Sequence, residues 1–101
     1  MDIILQTPGF KASEKLEEFL QEKSGKLEHY TDKIIRANVT LFKGAETELS
    51  NNYCEIRLEV PGNDHFVKKN SGSFEQAITE SVDALQHMLE RSKDKEKSNS
   101  Y

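Results

Sequence analysis

Apolar positions recur along this chain with two different periods, and the changes of period mark its elements. Ile3-Ile4-Leu5-Gln6 is a short apolar run that reads as a first strand. Thr7-Pro8-Gly9 breaks it, as a Pro-Gly pair does in a turn. Ser13 then offers a helix N-cap, and Glu14 follows where the helix dipole favours negative charge. Leu16, Phe19, Leu20 and Leu27 recur at helical spacing, with Lys23 interrupting the stripe. Gly25 falls inside this helix and costs it about 1 kcal/mol relative to alanine. The spacing predicts that the helix ends near His29 or Tyr30.

From Ile35 the period becomes two. Ile35, Ala37, Val39 and Leu41 alternate with Arg36, Asn38, Thr40 and Phe42, which predicts a strand with one buried face. Lys43 to Asn52 reads as a loop between antiparallel strands. Cys54, Ile56, Leu58 and Val60 then alternate with Glu55, Arg57 and Glu59 in the cleanest strand pattern of the chain. Pro61-Gly62-Asn63-Asp64 is a turn signal, and His65 to Asn70 a fourth, shorter strand. Ser73 with Gln76 three residues on fits the S-x-x-Q form of the capping box. Phe74, Ala77, Ile78, Val82, Leu85, Met88 and Leu89 then form one continuous apolar stripe. Beyond Leu89 no apolar face remains, so residues 91–101 are expected to be a basic helical extension and a disordered tail.

The predicted order is β-α-β-β-β-α. One apolar face per strand and one apolar stripe per helix call for an α+β fold in two layers. A four-stranded sheet carries both helices packed on one face, as in double-stranded-RNA-binding domains. The other face, with Arg36, Asn38, Thr40, Tyr53, Glu55, Arg57 and Glu59, should be solvated. The 101 residues form a single domain, with its body over residues 1–90.

Charge changes the picture only locally. Lys and Arg number 14 against 18 Asp and Glu, a formal net charge of −4, which argues against coating nucleic acid by bulk attraction. It leaves room for a basic patch on an acidic body. No run approaches the roughly 20 apolar residues of a transmembrane helix. The N-terminus shows no secretory pattern, so a cytoplasmic protein without a membrane partner is expected.

Little in the sequence points to catalysis. His29, His65 and His87 have no partner at metal-ligand spacing, so they read as surface or boundary residues, with no metal and no cofactor. Cys54 alternates in phase with Ile56 and Leu58 and reads as a small core residue. The carboxylate pairs Glu17-Glu18, Glu46 with Glu48 and Glu55 with Glu59 fall on solvated surfaces rather than in a cleft. The basic residues are more suggestive. Arg91, Lys93, Lys95 and Lys97 crowd the end of the second helix, Lys11, Lys23, Lys26 and Lys33 lie in or beside the first, and Lys68 and Lys69 end the fourth strand. Helix-end charge and solubility account for such a distribution; so does a phosphate-binding surface spanning both helices.

At this point local sequence adds to the pattern. Lys26-Leu27-Glu28-His29-Tyr30, then Asp32-Lys33-Ile34 leading into the second strand, Phe74-Glu75-Gln76-Ala77-Ile78 with Val82 and Leu85, and the closing Arg91-Ser92-Lys93-Asp94-Lys95 resemble the ribosome hibernation-promoting factors. These are also called ribosome-associated inhibitor or sigma-54 modulation proteins. The resemblance covers roughly residues 1–97. It implies a non-enzymatic ribosome hibernation factor that binds the small ribosomal subunit in the channel used by mRNA and by A- and P-site tRNAs. Translation would be inhibited by steric occlusion in the stress response of starved or stationary-phase cells. The partners implied are the small subunit and its 16S rRNA, not DNA, and the free protein is expected to be a monomer. Carried over by position, the rRNA-binding residues are Lys23, Lys26, Lys33, Arg91, Lys93 and Lys95. Lys68 and Lys69 join them from their placement in the chain alone. The length fits the family's short form, without the added dimerisation domain of the long form. The first helix departs from the more basic family pattern, since Glu17, Glu18, Glu22 and Glu28 are mixed with its lysines.

Two other readings compete. One is a protein-interaction or regulatory module that uses the exposed sheet face or its edge strand without binding RNA. The other is a small enzyme of acylphosphatase size, suggested by Arg36 and Asn38. It is disfavoured because no final strand follows the second helix and no anion-cradling loop precedes the first.

Overall fold

The computed structural model describes residues 1–47 and 49–98, with side chains in the last helix described through Arg91. The elements run β1 (Asp2–Gln6), α1 (Glu14–Gly25), a 3-10 turn (Lys26–His29), β2 (Arg36–Lys43), β3 (Asn52–Glu59), β4 (His65–Ser71) and α2 (Phe74–Ser98). The strands lie in the order β1-β2-β3-β4. β2, β3 and β4 pair antiparallel, whereas β1 pairs parallel with β2, Ile3 opposite Ala37 and Leu5 opposite Val39. A parallel pair needs a crossover, and α1 with the 3-10 turn supplies it. The expected α+β order and two-layer packing are therefore what the chain adopts.

Local chemistry sets each boundary. Thr7-Pro8-Gly9-Phe10 closes with the Phe10 amide donating to the Thr7 carbonyl at 3.2 Å, and Gly9 takes φ +89°, a position that favours glycine. The Ser13 hydroxyl accepts the Leu16 amide at 3.1 Å and starts α1. The Ser73 hydroxyl accepts the Gln76 amide at 3.1 Å and starts α2.

The first helix differs from the sequence expectation at its end. The α-helix stops at Gly25 and tightens into a 3-10 turn before Tyr30, where one continuous helix was expected. The Lys26 amide already donates to the Lys23 carbonyl, the shorter repeat of a 3-10 helix. The buried stripe also runs differently. It is Leu16, Leu20, Ser24 and Leu27, with Lys23 beside it rather than in it. Ser24 is tolerated there because its hydroxyl donates to the Leu20 carbonyl.

The core lies between the helices and one sheet face. Ala37, Val39, Leu41, Cys54, Ile56, Leu58 and Val67 line the sheet side, and Leu16, Leu20, Leu27, Ala77, Ile78, Val82, Leu85 and Leu89 the helix side. Each fully buried Leu or Ile contributes about 1.5–3 kcal/mol by leaving water. One end of this layer is closed by Phe10 stacked on Phe74, ring centroids 5.0 Å apart. The Lys43 ammonium sits 5.3 Å from the centre of the Phe74 ring and donates to Asn52 Oδ1 at 2.6 Å. Asn52 in turn donates to the Ser71 carbonyl, so this buried amide is satisfied between β2 and β4.

Candidate RNA-binding surface

The sheet separates the chain's cations into two populations. On the helix side, α1 packs against α2, and so does the 3-10 turn, which puts their cations in one layer. Lys23 lies in the last turn of α1 with its ammonium 5.5 Å from the centre of the Phe19 ring. Lys26 opens the 3-10 turn and Lys33 sits in the segment before β2, both exposed. The Lys33 backbone amide donates to Thr31 Oγ1 at 3.1 Å, which shapes that segment. Arg91 is exposed on α2, past the last buried residue, Leu89. Lys93 and Lys95 follow on the same helix, with side chains outside the described residues. Helix α2 runs from Glu90 to Ser98 beyond the core, about 13 Å at 1.5 Å per residue. The tail expectation for residues 99–101 lies outside the described residues.

Among the described residues, Lys26, Lys33 and Arg91 form no ion pair. Two nearby acids are engaged elsewhere. The N-terminal ammonium of Met1 meets Glu28 at 3.3 Å, and His87 Nδ1 lies 3.7 Å from Glu90. Glu28, two residues from Lys26, is thus partly offset by a charge from β1's end of the chain. Among the described residues, then, exposed Lys26, Lys33 and Arg91 have no carboxylate partner, and unpaired cations of this kind are what phosphate contacts draw on.

The open face of the sheet is organised otherwise. Arg36 meets Glu59 at 3.2 Å, Arg57 meets Asp64 at 3.8 Å, and Lys68 meets Glu55 at 3.7 Å. Glu59 also accepts from the Asn38 side chain at 2.7 Å. Phe42 and Tyr53 stack across β2 and β3 with centroids 4.9 Å apart, and Lys68 lies 5.8 and 5.3 Å from those two ring centres. Arg57 lies 5.7 Å from the Phe66 ring centre. Every cation here already has a carboxylate and, for Arg57 and Lys68, an aromatic face.

This division splits the two lysines that the sequence put together. Lys68 is opposite Glu55 on the open face, whereas Lys69 is opposite the core residue Cys54 and belongs to the helix side. Adjacent residues of a strand point to opposite faces, so a Lys-Lys pair in β4 cannot serve one surface with both side chains. The sequence placed Tyr53 on this face and Phe42 in its phase, and what it missed was their stacking and the Phe66 ring on the next strand. Phe42, Tyr53 and Phe66 sit at polar-face positions of three consecutive strands.

The other candidate groups stand apart from both surfaces. His29 and His87 are exposed and His65 is half-buried. No three His, Cys, Asp or Glu side chains cluster as metal ligands among the described residues. Cys54 is buried under α2, where burial pushes its thiol up to about 11, partly offset by a hydrogen bond with Ser81; nearby Glu55 adds to the rise. Such a thiol stays protonated and unreactive at neutral pH. No helix among the described residues is long and apolar enough to cross a membrane.

Comparison with known proteins covers nearly the whole chain. Residues 3–97 match the family described as sigma 54 modulation protein / S30EA ribosomal protein. A ribosome hibernation promotion factor of Deinococcus radiodurans is 30% identical over 84 residues, covering 82% of this chain and 44% of the relative. The chain thus spans under half the length of that relative. Among solved structures, the Protein Y N-terminal domain of Thermus thermophilus superposes with a TM-score of 0.77 at 23% identity, over 90% of this chain and 98% of that one. A ribosomal subunit interface protein from Coxiella burnetii superposes with a TM-score of 0.82 at 17% identity, over 93% of this chain and 99% of that one. At these identities the two structures share the fold.

Proposed function

The chain belongs to the sigma-54 modulation / S30EA ribosomal protein family, that of the ribosome hibernation promotion factors, and on that premise we propose that it is a hibernation factor acting on the small ribosomal subunit. In this reading it enters the channel used by mRNA and by A- and P-site tRNAs and contacts 16S rRNA there. Translation stops because tRNA and this protein cannot occupy the same space. No bond is made or broken, and the acylphosphatase-like reading falls away with the family assignment.

The contacts proposed are phosphate contacts from the helix side: Lys23, Lys26 and Lys33 around α1, and Arg91, Lys93 and Lys95 on α2. Lys69 joins them from the β4 edge, and Lys68, turned to the other face, contributes least. The observation that supports this most is the absence of ion pairs at Lys26, Lys33 and Arg91 among the described residues. A cation already bound to a carboxylate gives up that partner to reach a phosphate, and an unpaired one does not. Structured RNA is recognised largely by shape and by backbone contacts, which suits a rigid two-layer body with cations at its rim. The net charge of −4 limits attachment to RNA in general and leaves a shaped site as the means of binding. Such a factor works in the cytoplasm during starvation.

Sedimentation with purified small and large ribosomal subunits tests the proposal. The protein should travel with the small subunit at low salt, be released as salt rises, and be displaced by P-site tRNA. A protein that stays at the top of the gradient at low salt refutes it. Recovery of a nuclease-resistant protein partner without rRNA would instead favour the interaction-module reading.

A further inference from the structure

The two edges of the sheet are finished differently. β4 carries Lys68 and Lys69 in succession and lies against α2. Lysines and a covering helix are the usual ways of blunting an edge strand. β1 has neither. Asp2-Ile3-Ile4-Leu5-Gln6 contains one charge, no Lys and no Pro, and its only extensive packing among the described elements is with β2. All five of its residues pair in register with β2, so one edge is used and the other meets no strand among the described residues. Ile4, at its centre, is 44% exposed on the open face.

We infer that β1 is a self-association edge, pairing antiparallel with β1 of a second copy about a twofold axis at Ile4. The sequence of the strand selects this register. Ile4 lies opposite the partner's Ile4, Ile3 opposite the partner's Leu5, and Asp2 opposite the partner's Gln6. Apolar residues meet apolar ones, and no like charges meet. Sliding the partner by two residues one way sets Asp2 against the partner's Ile4. Sliding it the other way sets Asp2 against the partner's Pro8, which has no amide to donate. The twofold runs perpendicular to the sheet, so both helix layers lie on the same side and the two sheets become continuous. A strand of this length buries less than the roughly 1,200 Å² of a stable interface, so the dimer is weak and forms only at high protein concentration. The monomer expected from the sequence is then the dilute form. This inference stands apart from the ribosome-binding reading, since it uses neither helix.

Cysteine scanning tests it. Cys54 is buried, so a thiol placed on β1 is the accessible one. In the proposed register the two Ile4 Cα atoms are about 4.5–5.5 Å apart, within disulfide range. Ile4→Cys should therefore cross-link efficiently under mild oxidation. Gln6→Cys alone should not, because its two copies are about 13 Å apart along the strands. A mixture of Asp2→Cys and Gln6→Cys proteins should cross-link to each other. Cross-linking of Gln6→Cys alone to the same extent as Ile4→Cys would overturn the register. Independently of cysteine, the sedimentation mass of the unmodified chain should rise with concentration, and Ile4→Lys should abolish the rise while circular dichroism shows an unchanged fold. A mass that stays at one copy at every concentration would overturn the dimer.

Discussion

On the open face of the sheet Arg36, Arg57 and Lys68 each meet a carboxylate within 4 Å, whereas Lys26, Lys33 and Arg91 beside the helices meet none among the described residues. Both groups are basic in sequence, and among the described residues only one is left without carboxylate partners. The difference arises from register. Antiparallel pairing sets Arg36 opposite Glu59 and Lys68 opposite Glu55, so the sheet neutralises its own charges two by two. The ends of the helices offer no such ladder, and their cations face solvent. The chain's acidic total therefore says little about either surface.

The largest effect belongs to neither surface but to the core that holds them apart. Leu58 is fully buried on β3, and Leu58→Ala should lower unfolding free energy by about 2–5 kcal/mol in urea titration. If it does not, the two faces are not rigidly separated and the contrast loses its basis.

Charge reversal separates the two cation groups directly. Lys26→Glu with Arg91→Glu should weaken binding to the small subunit by about a hundredfold or more, on the scale of about 1.5–3 kcal/mol for each charged hydrogen bond lost. The slope of log affinity against log salt should fall by about 1 for each phosphate contact removed. Chemical denaturation should leave the midpoint of this double variant unchanged. Equal binding would remove the helix ends from the proposed site.

A third effect is read from pH. In the folded chain burial pushes the Cys54 thiol from its ordinary value near 9 up to about 11. The neutral thiol is thus favoured by folding, and the contribution is fully present below pH 9. It is lost as pH rises from about 9 to about 11, because the unfolded thiol ionises first. Two units correspond to about 2–3 kcal/mol. Stability curves of the chain and of Cys54→Ala should converge over this window; parallel curves would contradict the burial argument.

The smallest effect tests the paired cations. Lys68→Gln should change stability by less than about 1 kcal/mol, as exposed ion pairs do, and should leave subunit binding unaltered. A loss of binding equal to that of Lys26→Glu would erase the distinction between the faces.

Much of the fold was legible in the chain. A short apolar run and the changes of period located the four strands and two helices, though not the 3-10 turn, because a sheet side and a helix stripe expose their burial directly as spacing. The end of α1 was less legible. Gly25 and Ser24 read as interruptions, yet Ser24 is buried with its hydroxyl satisfied inside its own helix. A polar residue that hydrogen-bonds to the preceding turn looks exposed in sequence and is not. The candidate site was legible as a set of cations but not as a surface. Lys68 and Lys69 are neighbours in sequence and lie on opposite sides of the sheet, because a strand turns successive side chains to opposite faces.

By itself, then, the sequence determined the element order, the two-layer packing and most residues of the core, all of which follow from local period and polarity; Ile35, in phase with Ala37 and Val39, instead lies just before β2 and is 51% exposed. Tertiary structure alone decided the strand order and the parallel placement of β1 beside β2, with its outer edge left open. It also decided which cations find a carboxylate. Those outcomes depend on which strands become neighbours and in what register, and residues far apart in the chain, such as Arg36 and Glu59, carry no local signal of their meeting.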